Sequence, residues 1–191
     1  MIYEFKKLHP EIFLDLKVIS YREKNQLYLE NKIDFMFTVN DGLDILPDIA
    51  FKELYISRFV CVVPQNHFLS TYSSITLETL SKYDLILLNP ADAPEEMIRM
   101  LNIIDSICVN SPKLYCDSVF RGYTFVKCGF GLAIMPDFVC LECSDTVVIP
   151  LSSDEYISYG VAWNKNNYDK TANDFINVTE SIYPPVFMKR E

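Results

Sequence analysis

The sequence predicts an α/β protein of one domain or two small lobes. Three observations carry that expectation. Apolar runs of strand length alternate with segments of helical period along the 191 residues. Helix-start chemistry, a hydroxyl cap or a proline with acidic neighbours, falls where the period changes. No internal repeat, low-complexity tract or Gly/Ser-rich linker divides the chain, so if there are two lobes they have to be joined by extended strands.

The opening stretch YEFKKLHP reads as the end of a helix, with Tyr3, Phe5 and Leu8 on an apolar face and Pro10 closing it. Residues 12–19, IFLDLKVI, alternate well enough for a strand. Ser20 and Glu23 have the spacing of a capping box, in which the hydroxyl accepts the N3 amide and the carboxylate reaches back. A helix is expected over 21–31 and a strand in KIDFMFTV, residues 32–39. Strand, helix and strand predict a right-handed parallel crossover.

DIAFKELY and SRFVCVVP read as two further strands. Thr76 caps a short helix, LETLSKY, and DLILL (84–88) is a buried strand by its length and flanks. PEEMIRML starts a helix with proline in the first turn and two carboxylates at the positive end. KLYCDS is a strand, Ser118 caps a helix to about Cys128, and GFGLAIMP is a glycine-led strand ended by proline. TVVIPL and SYGVAWN are strands. The last helix, from about Asp169, places Ala172, Phe175, Thr179, Ile182 and Tyr183 on one face. Such alternation predicts mostly parallel sheets.

Composition removes several function classes. Half the residues are hydrophobic, enough for a real core, and 23% are charged, so an ordered domain is expected. The net charge of -9, with basic residues clustered only as Lys6-Lys7 and Lys189-Arg190, leaves no stripe to neutralise phosphates. No apolar run reaches the ~18 residues a membrane span needs, and MIYEFKKLHPEIF lacks a signal-peptide pattern. A cytoplasmic protein with no membrane partner is expected, its six cysteines reduced.

Catalytic chemistry finds little support. His9 and His67 are the only imidazoles, and neither neighbours a plausible nucleophile, so no catalytic residue is assigned and the chain is read as no enzyme. Cys140 and Cys143 have CxxC spacing, but no second pair completes a zinc site, and the motif does not follow the first strand of a βαβ unit. They read as ordinary thiols, and neither metal nor cofactor is expected. Gly129 and Gly131 precede a strand rather than a helix, so they are no dinucleotide fingerprint.

Four stretches, in order and spacing, carry a resemblance. FKKLHPEIFLDL (5–16) looks like a helix, a proline and a crossover strand. LENKIDFMF (29–37) is similar to L-x-x-G-x-L-D-x-x-I, with Asn31 where glycine is usual. FVCVVPQNHFL (59–69) is similar to L-x-x-V-x-P-x-x-H-P-L, with Phe68 in place of proline, and FVKCGFGLAIMP (125–136) to V-x-x-G-x-G-I-A-x-L-P. Together they resemble the effector-binding domain of LysR-type transcriptional regulators.

The resemblance implies two Rossmann-like lobes of the periplasmic-binding-protein type II class, joined by two crossover strands. It puts lobe I in 1–63 and 137–191 and lobe II in 64–136, with hinges at Val63-Pro64 and Met135-Pro136. His67 then sits in a turn beyond the first crossover, in a structural role. The family's helix-turn-helix and first strand do not appear in this sequence, so contact with DNA is expected only through a module outside it. Homodimers are implied, pairing the segment that ends at Leu8 with the partner's helix from about Val119 to Cys128.

A small polar or anionic metabolite is the expected effector, held in the cleft between the lobes. Clefts of this kind open at carboxyl ends of strands, where helix N-termini offer amides. Thr38, Asn89, Asp117 and Ser118 follow strands and are the candidate contacts, and the resemblance adds Gly131 as a residue at the cleft border. Asp117 is awkward beside an anion; a zwitterion such as an amino acid reconciles it. The alternative reading is a free-standing bilobal solute-binding protein of the same fold, and a weaker one is an enzyme on that fold.

Overall fold

Ser20 and Glu23 form the box that their spacing predicts. The Glu23 carboxylate accepts from the Ser20 amide at 3.0 Å and from its hydroxyl at 2.6 Å, and the Glu23 amide donates back to Ser20 Oγ at 3.3 Å. The computed structural model describes residues 1–140 and 143–183. Along the chain run α1 (Ile2–Leu8), α2 (Glu23–Leu29), β1 (Phe35–Val39), β2 (Ile49–Pro64), α3 (Leu77–Leu80), β3 (Leu85–Leu88) and α4 (Glu95–Ile107). They are followed by β4 (Lys113–Cys116), α5 (Val119–Lys127), β5 (Leu132–Pro136), β6 (Thr146–Pro150), β7 (Tyr156–Asn164) and α6 (Lys170–Ile182).

The chain divides into two compact units, 1–56 with 158–191 and 57–157. In the first, β7 lies between β1 and β2, and β1 pairs antiparallel with β7 from Phe35↔Trp163 to Val39↔Tyr159. Phe175 of α6 stacks on Phe35 at 4.3 Å and meets the Phe5 ring of α1 edge-on at 5.1 Å. His9, just past α1, bonds Asp174 of α6 at 3.1 Å. A second cluster buries Tyr28, Met36, Leu43, Leu46 and Ala162.

Helix α2 ends in a Schellman motif. Asn31 takes φ 52°, its amide donates to the Tyr28 carbonyl at 3.0 Å, and the Lys32 amide donates to Leu27 at 3.0 Å. This is the position at which the LysR-type pattern carries glycine. Asparagine is the side chain best able to replace it in left-handed backbone.

In the second unit the strands run β6–β2–β5–β3–β4. Both β4 and β5 are parallel to β3, whereas β2 is antiparallel to β5 and β6. One face of this sheet buries Val60, Val62, Ile86, Ala133 and Met135 with Tyr123 and Val126 of α5. By the two-residue strand period Leu85 and Leu87 point the other way. Helix α4 buries Met97, Met100, Leu101 and Ile104, a stripe of helical spacing.

Several expectations are corrected. Residues 12–19 form no strand and join no ladder, and Phe13, Leu16 and Val18 are exposed, so alternation there is a strand pattern without a strand partner. The parallel crossover predicted for this region is absent, because β1 takes β7 as an antiparallel neighbour. The sheets are mixed rather than mostly parallel.

DIAFKELY and SRFVCVVP are one strand, β2, with no break between them. The chain passes from one unit to the other within β2, between Ile56 and Ser57, and returns within β7, between Ile157 and Ser158. Val63, Pro64, Met135 and Pro136 therefore lie inside the second unit, where Pro64 pairs with Thr146 and Met135 with Val60. Residues 137–157 belong to that unit too, since β6 completes its ladder on β2.

Candidate functional site

The parallel ladder of β3 and β4 aligns Leu88 with Cys116, so both strands end together. The next residues are Asn89 and Asp117-Ser118, and the Asn89 amide donates to the Cys116 carbonyl at 2.9 Å. Three candidates thus share one strand end of the second unit. Their polarity is what a chain leaving a sheet needs, and each has a local role that fixes it.

Asn89 caps the 3-10 turn Pro90–Asp92, its Oδ1 accepting from the Ala91 amide at 3.0 Å. Ser118 caps α5, its Oγ accepting from the Arg121 amide at 3.4 Å. Helix α5 is nine residues long, and its first amides point out over the same strand end. Beneath them Cys116 is buried, which pushes its thiol up, and its Sγ lies 3.5 Å from the Leu87 carbonyl. Cys116 is a packing residue here.

Arg121 is the residue that sequence reasoning missed. Its Nη1 stands 3.0 Å from the Asp117 carboxylate, one helical turn away. Asp117 is thereby partnered, and its charge is offset beside the helix N-terminus. The four-residue spacing of opposite charges was legible in the sequence as a helical pair. The strand end now offers a carboxylate, a guanidinium, a hydroxyl, an amide side chain and helix amides, a set suited to a small polar ligand with groups of either sign.

Gly131 is not among them. It precedes β5, and the β3–β5 register Leu85↔Leu132 puts it at the opposite end of the strands from Asn89. A Cβ on Gly131 would lie 2.4 Å from the Asp84 carbonyl oxygen, so its role is close approach of two backbones. Thr38 belongs to the other unit, and it lies inside β1, opposite Gly160, rather than after the strand.

His67 caps the 3-10 turn Phe68–Thr71, with Nδ1 accepting from the Leu69 amide at 3.3 Å. Its ring meets Tyr83 edge-on at 5.5 Å, and burial pushes its pKa down. This is an architectural histidine. Among the described residues no group of three or more His, Cys, Asp or Glu side chains could hold a metal ion.

A cavity of about 640 Å³ occupies the first unit, lined by residues 12–17 and by Ile33, Phe35, Phe37 and Phe175 among others. None of the candidate contacts lines it. It borders β1, which among the described residues pairs only with β7.

Mixed α/β units threaded twice by one chain, with polar residues gathered at a strand end, define a periplasmic-binding-protein-like fold of type II. The family described as the LysR substrate binding domain matches residues 1–181, and the chain belongs to it. Among solved structures, HinK, a LysR family transcriptional regulator from Pseudomonas aeruginosa, matches with a TM-score of 0.78 at 19% identity. That match covers 95% of this chain and 64% of HinK, so the chain spans under two thirds of that relative.

The Synechocystis CcmR regulatory domain in complex with 2-PG matches with a TM-score of 0.76 at 15% identity, over 96% of this chain and 89% of that one. The effector binding domain of QuiR in complex with shikimate matches with a TM-score of 0.72 at 21% identity, over 95% and 88%. At these identities the likeness is one of fold. No curated protein matches the sequence.

Proposed function

We propose that this chain is the small-molecule sensor of a LysR-type transcriptional regulator, acting in the cytoplasm as a homodimer and without catalysis. The observation that carries the reading is the convergence of Asn89, Asp117, Ser118 and Arg121 at the shared end of β3 and β4, in a chain of this family. The effector is a small polar or anionic metabolite. The pairing of Asp117 with Arg121 removes the main objection to an anion. Related domains bound to 2-PG and shikimate support that class of ligand. Binding acts by shifting an equilibrium between two states of the chain, by no more than the difference in affinity for the two.

Contact with DNA is assigned to a separate module, because a net charge of -9 supplies no phosphate-neutralising term. The dimer surface is assigned to α1 and α5, whose Tyr3, Leu8 and Phe120 side chains are exposed. No helix among the described residues is long and apolar enough to cross a membrane.

The test is calorimetric unfolding of the purified chain against a panel of small carboxylates, amino acids and phosphorylated acids. A ligand that raises Tm in the parent and fails to do so in Asn89→Ala supports the site. A stabilising ligand that ignores Asn89→Ala and Ser118→Ala alike places the effector elsewhere. Chemical turnover of a panel member overturns the sensor reading in favour of an enzyme.

A further inference from the structure

Two rows of backbone groups in the first unit lie outside any ladder. Strand β1 pairs on one side with β7, and among the described residues nothing pairs with its other side. Residues 12–19 alternate like a strand, yet among the described residues no backbone–backbone hydrogen bond reaches residues 13–19. The cavity of about 640 Å³ lies against both rows: Phe35 and Phe37 line it from β1, Leu14 and Leu16 from the other segment. It is a slot with two backbone walls.

The slot is apolar on both faces of the sheet. On one face Phe5 and Phe175 line it, and Phe175 stacks on Phe35. On the other, Ile33 and Met36 line it and pack in the cluster of Tyr28. A strand covered on both faces is a continuous apolar run rather than an alternating one.

Exposed strand edges are ordinarily blunted by charge or proline. The outer strands of the second unit follow that rule, β4 with Lys113 and β6 with Pro150. Strand β1, FMFTV, has no charge, proline or glycine. Backbone amides and carbonyls beside an apolar cavity require partners. Donors and acceptors alternating at strand spacing belong to a peptide and not to a small apolar ligand. A second copy is a poor occupant, because its own β1 edge faces its own 12–19 wall and cannot enter a slot walled on two sides.

We propose that this slot docks an extended apolar peptide strand supplied by a partner polypeptide. The strand pairs its backbone with β1 on one side and with residues 12–19 on the other, so it continues the β1–β7–β2 sheet. Main-chain bonds supply affinity, and side chains on both faces fill the apolar volume. This docking stands apart from effector binding, since none of Asn89, Asp117, Ser118 and Arg121 lines the slot.

The test uses the whole purified chain and a synthetic peptide of five alternating valines and isoleucines with a lysine at each end. At about a hundred times its Kd the peptide should raise Tm by about 5–10 °C. It should also slow hydrogen exchange of amides in 12–19 and 35–39 about tenfold or more. The same peptide N-methylated at alternate residues keeps its side chains, loses ladder donors and should do neither. Leu16→Pro and Lys17→Pro each remove one amide from a segment that joins no ladder, so the free chain should keep its circular dichroism. Adjacent amides point to opposite sides, and at least one of the two variants should bind the peptide about tenfold more weakly. Equal stabilisation by the N-methylated peptide would make the slot a site for apolar ligands and overturn the proposal. Protection of 35–39 that grows with the concentration of the chain alone would assign the slot to a second copy and overturn it too. So would a peptide that leaves exchange at 35–39 unchanged, or parent-like peptide binding in both proline variants.

Discussion

The Asn89 amide donates to the Cys116 carbonyl across the ends of β3 and β4, at 2.9 Å. That one bond sets Asn89 beside Asp117 and Ser118, residues far apart in the sequence. It also extends the ladder one step past the strands, so the polar cluster rests on a rigid edge rather than on a free loop.

The first prediction concerns this cluster. Ser118→Ala removes one hydroxyl from the strand end. For the effector found by calorimetric screening, affinity should fall about threefold to tenfold, the loss of roughly 0.5–1.5 kcal/mol for one hydrogen bond. The same change removes the α5 cap, at about 1 kcal/mol of stability. Titration calorimetry at a temperature where both proteins are fully folded separates the two effects. Arg121→Ala should lose more than Ser118→Ala, because a charge-assisted contact is lost and Asp117 is left unpaired.

Gly131 and Gly129 give a paired test of backbone geometry. Gly129 has φ +77° with nothing within 4 Å of an added Cβ, so Gly129→Ala should cost only the left-handed penalty, about 1–2 kcal/mol. Gly131→Ala meets the Asp84 carbonyl at 2.4 Å and carbon at 2.9 Å, in a segment where Leu132 bonds that same oxygen. It should cost clearly more and reduce soluble yield. Urea denaturation of both variants checks the order. Equal costs would mean that β5 moves away from Asp84 without penalty.

Acid should weaken the fold by a route visible in the caps. Hydrogen bonds from the Ser20 hydroxyl and amide hold the Glu23 carboxyl below the usual carboxylate range. Its own backbone amide and Thr76 do the same for Glu78. A depressed carboxylate contributes stability above its unfolded pKa of about 4.3 and loses it as pH falls through the lower folded value. Burial depresses His67 in the same sense, so its share is present above its unfolded value of about 6.5 and fades as pH falls through the folded one. Unfolding free energy measured from pH 7 to 3 should therefore decline, and Glu23→Gln should flatten the slope below about pH 4.5. An unchanged slope in Glu23→Gln would show that the box does not contribute.

What the sequence disclosed follows the range of the interactions. Local chemistry was legible: the Ser20–Glu23 box, the caps at Thr76 and Ser118, and the architectural role of His67. Asn31 in the glycine position is the same kind of signal, one residue answering one dihedral. Pairing was not legible. Residues 12–19 have the alternation of a strand, but a strand is a relation between two segments, and its neighbour is not written in its own pattern. The unbroken β2 escaped for a related reason: its exposed Glu53 and Arg58 look like turn residues until both flanks are paired. Within the candidate site, strand ends located Asn89 and Ser118. The distance from Gly131 to them depends on the parallel register of β3 and β5, which no local motif encodes.

The last prediction concerns self-association. Phe120 is 76% exposed in the first turn of α5, and Tyr3 and Leu8 are 71% and 60% exposed on α1. Large apolar side chains on two short helices exceed what solvation of a helix requires, and they mark the surfaces assigned to the homodimer. An aromatic anchor at the centre of an interface typically costs about 2 kcal/mol or more when truncated, near thirtyfold in Kd. Phe120→Glu should therefore shift sedimentation-equilibrium profiles from dimer to monomer at micromolar concentration. The folded state should be unaffected, since the side chain contributes little burial within the chain. Tyr72→Glu is the control: Tyr72 is also exposed, at 48%, but lies outside both helices and should leave the dimer intact. A monomeric parent, or a dimer that dissociates with Tyr72→Glu and not with Phe120→Glu, would remove α5 from the interface.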